Sequence, residues 1–161
     1  MNARTPVDLR PYRDEHLHEL VRLWREAFEG GVGIVDPHPI AEQEHYFQAT
    51  VLPHHDVQLA FAGDRLAGFV AASRESVAQL HVRVGLQRRG IGSTLLAWAQ
   101  AQSGGSLWLY TFARNVIACR FYERHGFVAV AHGFEPHWQL ADVKYEWTAD
   151  RGAATDRTAR S

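Results

Sequence analysis

Leu80-His81-Val82-Arg83-Val84-Gly85-Leu86-Gln87-Arg88-Arg89-Gly90-Ile91-Gly92-Ser93-Thr94-Leu95-Leu96 reads as an apolar strand, a tight basic turn and the opening of an amphipathic helix. Ile91, Leu95, Trp98 and Ala99 fall near one helical face, so a helix starting near Gly90 has a side to bury. The first N–H groups of such a helix have no partner within it, and its dipole adds partial positive charge at that end. Gly90 and Gly92 let a ligand reach the main chain without meeting a Cβ. The expected guest is a phosphate or diphosphate. Two common phosphate loops fail on residue type. A P-loop needs a Lys after its last glycine, where Ser93 stands, and the only lysine is Lys144. A dinucleotide fingerprint needs a third glycine where Leu95 sits.

A chain of 161 residues suits one domain with a substantial core, expected over 1–149, and the polar, aperiodic stretch 150–161 reads as a flexible tail. A formal net charge of −1 argues against a nucleic-acid partner or a pull toward anionic membrane. One cysteine, Cys119, leaves no internal disulfide and fits a reducing compartment. No signal-peptide layout and no apolar run of spanning length is present, so a cytoplasmic location is expected.

Taken in order, Val7 to Arg10 alternates as a strand ended by Pro11, and Asp14 is a candidate N-cap for a helix through Leu17, Leu20, Val21, Trp24 and Phe28. That helix is expected to stop at the hinge Gly30-Gly31-Val32-Gly33, with a second running from Ile40 through Phe47 and Val51. Val57 to Phe61 and Leu66 to Ala72 form a hairpin about Gly63-Asp64, followed by a strand ending near Val84. A helix over 91–102 leads to Leu107–Phe112, apolar on both faces and so expected to be a central strand covered on both sides. A helix from Asn115 to Arg124 stops before Gly126, and strands at 127–131 and 143–148 follow.

Gln87-Arg88-Arg89-Gly90-Ile91-Gly92 matches Q-x-x-G-x-G, and with the order β-α-α-β-β-β-α-β-α-β-β the chain resembles the GNAT family of N-acetyltransferases over about residues 5 to 149. The resemblance implies an α+β fold with a mixed, mostly antiparallel sheet of six to seven strands and about four helices. It also implies acetyl-CoA as cosubstrate, its diphosphate cradled by Gln87, Arg88, Arg89, Gly90, Ile91, Gly92 and Ser93. Backbone groups of Leu80 and Val82 would pair with the pantetheine arm, a fourth-strand N–H near Val82 would polarise the thioester carbonyl, and Asn115 would contact the arm. Family members often carry Pro where Val84 stands, which bears on how the strand ends and not on the clamp.

Asn115, Cys119 and Tyr122 share one helical face. By the resemblance Tyr122 contacts the cofactor near its sulfur and acts as general acid, a role its phenol suits; a core aromatic is the plainer reading. Cys119 reads as packing, since direct attack by the amine needs no covalent step. Several family members place a base on the fourth strand, but Ser76 and Ala78 fall at those positions and neither takes a proton at neutral pH. Glu75 is adjacent, where a bulge would turn it inward; His81 lies on the strand itself, on the other face; His137 lies between the last two strands. The acceptor site is expected from the segment 30–46 with 134–138, giving Asp36, His38, Tyr46, His137 and Trp138 as substrate-binding candidates. Histidine spacing gives no zinc pattern, so no metal is expected. The expected reaction is acetyl transfer to a primary amine of a small molecule. Its rivals are acetylation of a protein N-terminus or lysine, and a non-catalytic acyl-CoA-binding module. Monomer and homodimer are both compatible with the last strand.

Overall fold

The computed structural model describes residues 3–150. The tail expected from residue 150 therefore lies almost wholly outside the described residues. Strands β1 (Asp8–Pro11), β2 (Asp56–Ala62), β3 (Arg65–Ala72) and β4 (Val77–Val82) form an antiparallel sheet in that order. Strands β5 (Ser106–Phe112), β6 (Val128–Glu135) and β7 (Leu140–Thr148) form a second antiparallel sheet, in the order β5-β7-β6. Helices α1 (Leu17–Val32), α2 (Ile40–Tyr46), α3 (Ile91–Gln102) and α4 (Val116–Arg124) complete the expected order. No helix among the described residues is long and apolar enough to cross a membrane.

The sheets touch at one point. Ser76 bridges Trp108 in parallel, and Trp108 N–H donates to the Glu75 carbonyl at 3.0 Å. Past that bridge β4 and β5 run in the same direction without pairing. The strands splay, and the gap opens toward the turn that follows β4.

Two apolar cores hold the first sheet from both sides. On one face Leu20, Leu23 and Trp24 of α1 and Phe47 pack on Leu59, Phe61 and Phe69. On the other Ile91, Leu95, Leu96 and Ala99 of α3 pack on Ala60, Ala67 and Val70. Each fully buried Leu or Phe contributes on the order of 1.5–3 kcal/mol. The strand covered on both sides is β3, buried from Leu66 to Ala72. The apolar run at 107–112 points to β5 for that place. Instead β5 is an edge of the second sheet: Phe28 of α1 packs on Phe112 at its end, while Trp108 and Tyr110 are 40% and 56% exposed, with Lys144 Nζ 5.3 Å over the Trp108 ring.

Three local expectations also change. Asp14 makes no capping hydrogen bond and begins a tight turn, Asp14–His16, ahead of α1. The first helix continues through Gly30 and Gly31 and ends at Gly33, whose φ of 78° permits the left-handed stop. Gly31 is inside the helix because a Cβ there would lie 2.7 Å from Asn115 Nδ2. The second helix ends its regular course at Tyr46 and widens over Phe47–Val51 before a tight turn at Leu52–His54. Pro53 has no N–H to give the Ala49 carbonyl, so the regular ladder cannot run on.

Candidate active site

The turn after β4 leaves its donors bare. Arg83 N–H donates to the Ala67 carbonyl at 2.7 Å, so residue 83 pairs inward with β3. Alternation along an antiparallel strand then turns the N–H and C=O groups of Val82 and Leu80 outward, into the gap. The Val82 carbonyl accepts from Gln87 Nε2 at 3.3 Å. The chain then bends through Gly85 (φ 92°), Arg88 (φ 64°) and Gly90 (φ 84°) into α3. Arg88 in the left-handed region stores about 1–2 kcal/mol of strain, a feature the residue type gave no hint of. The main-chain N–H groups of residues 88 to 93 donate to no described residue; Thr94 N–H, bonded to the Gly90 carbonyl at 3.1 Å, is the first to do so. Arg88 and Arg89 form no ion pair among the described residues, and Arg89 carbonyl anchors the N-terminal segment through Thr5 N–H at 3.0 Å. Gly92 lies against Phe121, whose ring would be 3.3 Å from a Cβ there. Ser93 hydroxyl donates to His125 Nε2 at 2.9 Å, since the other ring nitrogen donates to the Phe121 carbonyl at 2.7 Å.

Across the gap stands α4. Asn115 Oδ1 accepts from Ala118 N–H at 3.2 Å and caps the helix. Tyr122 is buried between Phe121 and Phe127, at ring separations of 5.2 and 5.6 Å, and still lines the cavity. Its hydroxyl has no hydrogen-bond partner among the described residues. Burial foremost, and Cys119 beside it, push its pKa above the usual phenol value, so it keeps its proton. The Cys119 thiol donates to the Phe112 carbonyl at 3.7 Å, a packing role.

The gap is a cavity of about 780 Å³ reaching from β4 and Tyr122 to the loops after α1 and β6. Asp36, Glu42, Glu135 and Asp142 line it, and no arginine or lysine does. Asp36 accepts from both the backbone N–H (2.9 Å) and Nδ1 (2.6 Å) of His38, with Arg25 3.5 Å from its second oxygen. Burial works to raise the Asp36 pKa, but His38's hydrogen bonds and the Arg25 charge prevail and hold it below the usual carboxylate range. His38 stacks on His137 at 5.2 Å, and Trp138 meets both rings edge-on at 5.5 and 5.3 Å.

Residues 17–127 match the model of the Acetyltransferase (GNAT) family, more than half of the chain. The chain belongs to that family. It is an acetyl-CoA-dependent N-acetyltransferase. Solved structures share the GNAT fold at low identity. A GCN5-related N-acetyltransferase from Rhodopseudomonas palustris superposes with a TM-score of 0.76 at 20% identity, over 92% of this chain and 98% of the other. Spermidine N-acetyltransferase from Vibrio cholerae, in complex with CoA and spermine, gives 0.71 at 17%, over 91% and 98%. yncA from Salmonella typhimurium, with its cofactor acetyl-CoA, gives 0.69 at 13%, over 90% and 95%. No curated protein matches the chain by sequence.

Within this GNAT acetyltransferase the base candidates separate. Glu75 is exposed on the turn before β4, at the closed end of the splay, and does not line the cavity. The bulge falls at Ala78 instead: Ala71 pairs with Gln79 and Ala72 with Val77, so the extra residue has no proton-accepting side chain. His81 does reach the cavity, but its ring is packed by Phe69 and Trp24 at 5.6 and 6.1 Å and its Nε2 is bonded to Gln79 Oε1 at 2.8 Å. Burial pushes its pKa down to about 4, which leaves it neutral and weakly basic. His137 and Trp138 lie at the cavity mouth with Asp36 and His38, and Tyr46 lines the same end, 49% exposed. Glu42 and Glu135 lie inside the two segments expected to form the acceptor site without being singled out there, and Asp142 on β7 lies outside them; the three share no spacing. No group of three or more His, Cys, Asp or Glu among the described residues could hold a metal.

Proposed function

We propose that this acetyltransferase acetylates a primary amine on a small cationic molecule, with Tyr122 as general acid. The observation that carries the reading is the acceptor end of the cavity, in the same cavity that Tyr122 lines. It holds two histidines, His38 and His137, and four carboxylates, of which only Asp36 is paired with an arginine among the described residues. Such a lining favours an ammonium-bearing guest over an anionic or purely apolar one. The V. cholerae neighbour, solved with spermine, lends the same direction.

The free amides of 88–93 and the outward backbone groups of Leu80 and Val82 fit a diphosphate joined to an amide-bearing arm. Gln87, Arg88, Arg89, Ile91 and Ser93 complete the cradle, and Asn115 borders the arm. Acetyl-CoA supplies the activated acetyl group. Val82 N–H is placed to polarise the acetyl carbonyl, and Tyr122 to deliver its proton to the departing sulfur. The reducing cytoplasm suits the free thiol of Cys119.

The test is release of free thiol from acetyl-CoA across spermidine, phenethylamine and a peptide with a free N-terminus. Preferential turnover of a small amine is the expected outcome. Preference for the peptide supports the protein-acetylating rival, and CoA binding with no turnover supports the binding module.

A further inference from the structure

Two imidazoles in this cavity have one nitrogen bonded and the other bare, but His81 is held by an amide oxygen and packed by Phe69 and Trp24, whereas His38 is held by a carboxylate. Its Nδ1 is engaged by Asp36 at 2.6 Å, and no described residue takes Nε2. A carboxylate on Nδ1 sets the tautomer: Nδ1 carries the hydrogen and Nε2 presents a lone pair. The carboxylate is itself held. Arg25 pairs with its second oxygen, Arg25 Nε donates to Gln43 Oε1 at 3.0 Å, and Asp36 N–H donates to Glu29 Oε2 at 3.1 Å. Pro37 and Pro39 fix φ on either side of His38, and the His137 ring covers one face. His38 is 37% exposed in its side chain while Asp36 is 9%, so the base faces the cavity and its partner is shielded.

We propose that His38 is the general base that takes the proton from the acceptor amine, and that Asp36 is its positioning residue. This rests on the acetyltransferase reading above and deepens it. As the bond forms between amine nitrogen and acetyl carbon, one N–H proton passes to His38 Nε2. The carbon–sulfur bond breaks, the sulfur leaves with the electron pair, and Tyr122 gives it a proton. Solvent then carries the proton from His38 back to Tyr122. The imidazolium formed meanwhile sits against the Asp36 carboxylate. The charged and titratable groups around His38 are Asp36 in its own loop, Arg25 and Glu29 on α1, Glu42 on α2, Glu135 and His137 at the β6–β7 turn, and Asp142 on β7.

The test uses the full chain and the best of the three amines above, with hydroxylamine as second nucleophile. Hydroxylamine is already neutral at pH 7, and the adduct it forms on attack loses its proton to water more readily than that of an alkylamine. His38→Gln is expected to lower kcat for the alkylamine by about 10²-fold, to change the acid limb of its kcat/KM profile, and to leave CoA affinity and hydroxylamine turnover close to wild type. Long-range ¹H–¹⁵N spectra of the ligand-free protein should show His38 with hydrogen on Nδ1, and Asp36→Asn should mix the tautomers and lower kcat with little change in KM. An unchanged acid limb in His38→Gln, its loss in His137→Gln alone, or hydrogen on Nε2 in the free protein would overturn the assignment while leaving the acetyltransferase reading standing. A wild type that binds CoA yet acetylates none of the amines, hydroxylamine included, overturns both.

Discussion

The two ends of the splay are built by opposite means. The end at the turn after β4 comes from one contiguous stretch, residues 80 to 94, and offers main-chain N–H groups flanked by Arg88 and Arg89. The far end is assembled from α1, the loop before α2, α2 itself, the β6–β7 turn and β7, and it offers side chains: carboxylates, imidazoles and an indole. A backbone site follows from local conformation, so a strand, a turn and two glycines specify it. A side-chain site exists only where packing brings distant segments together. The first suits an anionic group common to every turnover, and the second suits whatever acceptor a particular enzyme takes.

The division is broken most severely at Tyr122, where the ends meet. Tyr122→Phe is expected to lower kcat by about 10²-fold or more in a steady-state assay, with CoA affinity by calorimetry unchanged. An unchanged kcat would make the residue a core aromatic only. Next comes a change confined to the backbone end. Gly92→Leu should weaken CoA by about tenfold, roughly 1.4 kcal/mol, and leave the amine KM alone; equal damage to both constants would show that the ends are not separate. At the side-chain end Glu42→Gln and Glu135→Gln should each raise the KM for a cationic amine a few-fold, within about 1 kcal/mol for a solvated pair. High salt should erase that difference, and hydroxylamine should not register it.

The smallest effect concerns His81. Its folded pKa, about 4, lies below the ordinary 6.5, so between those values the unfolded chain binds a proton that the folded chain refuses. Stability is then full above about 6.5 and is lost as pH falls toward about 4. Thermal melts over that window should slope less for His81→Leu than for wild type. Equal slopes would mean the ring is solvated.

Much of this was legible in the residues. The helix at 91–102 has the bounds its periodicity gives, because Gly90 on one side and Ser103-Gly104-Gly105 on the other both punctuate the chain locally. Errors arose where a neighbour intervened. Gly30 and Gly31 look like a hinge, yet Gly31 is inside a helix to make room for Asn115, 84 positions later in the chain. The apolar run at 107–112 looks doubly buried, yet β5 is an edge strand whose Trp108 and Tyr110 stay exposed, and which strand lies at an edge is settled by sheet order. The four acids of the acceptor end carry no pattern, because residues on separate elements share no register.

From the chain alone came the order of elements, the faces that must be buried and the glycine turn between β4 and α3, all consequences of backbone geometry acting over a few residues. Tertiary structure alone decided that the two sheets part after Ser76–Trp108, that His81 packs on Phe69, and that Asp36 and Arg25 hold His38 open to the cavity. Those are meetings of side chains far apart in sequence. They are fixed by which surfaces pack together, and no local rule contains them.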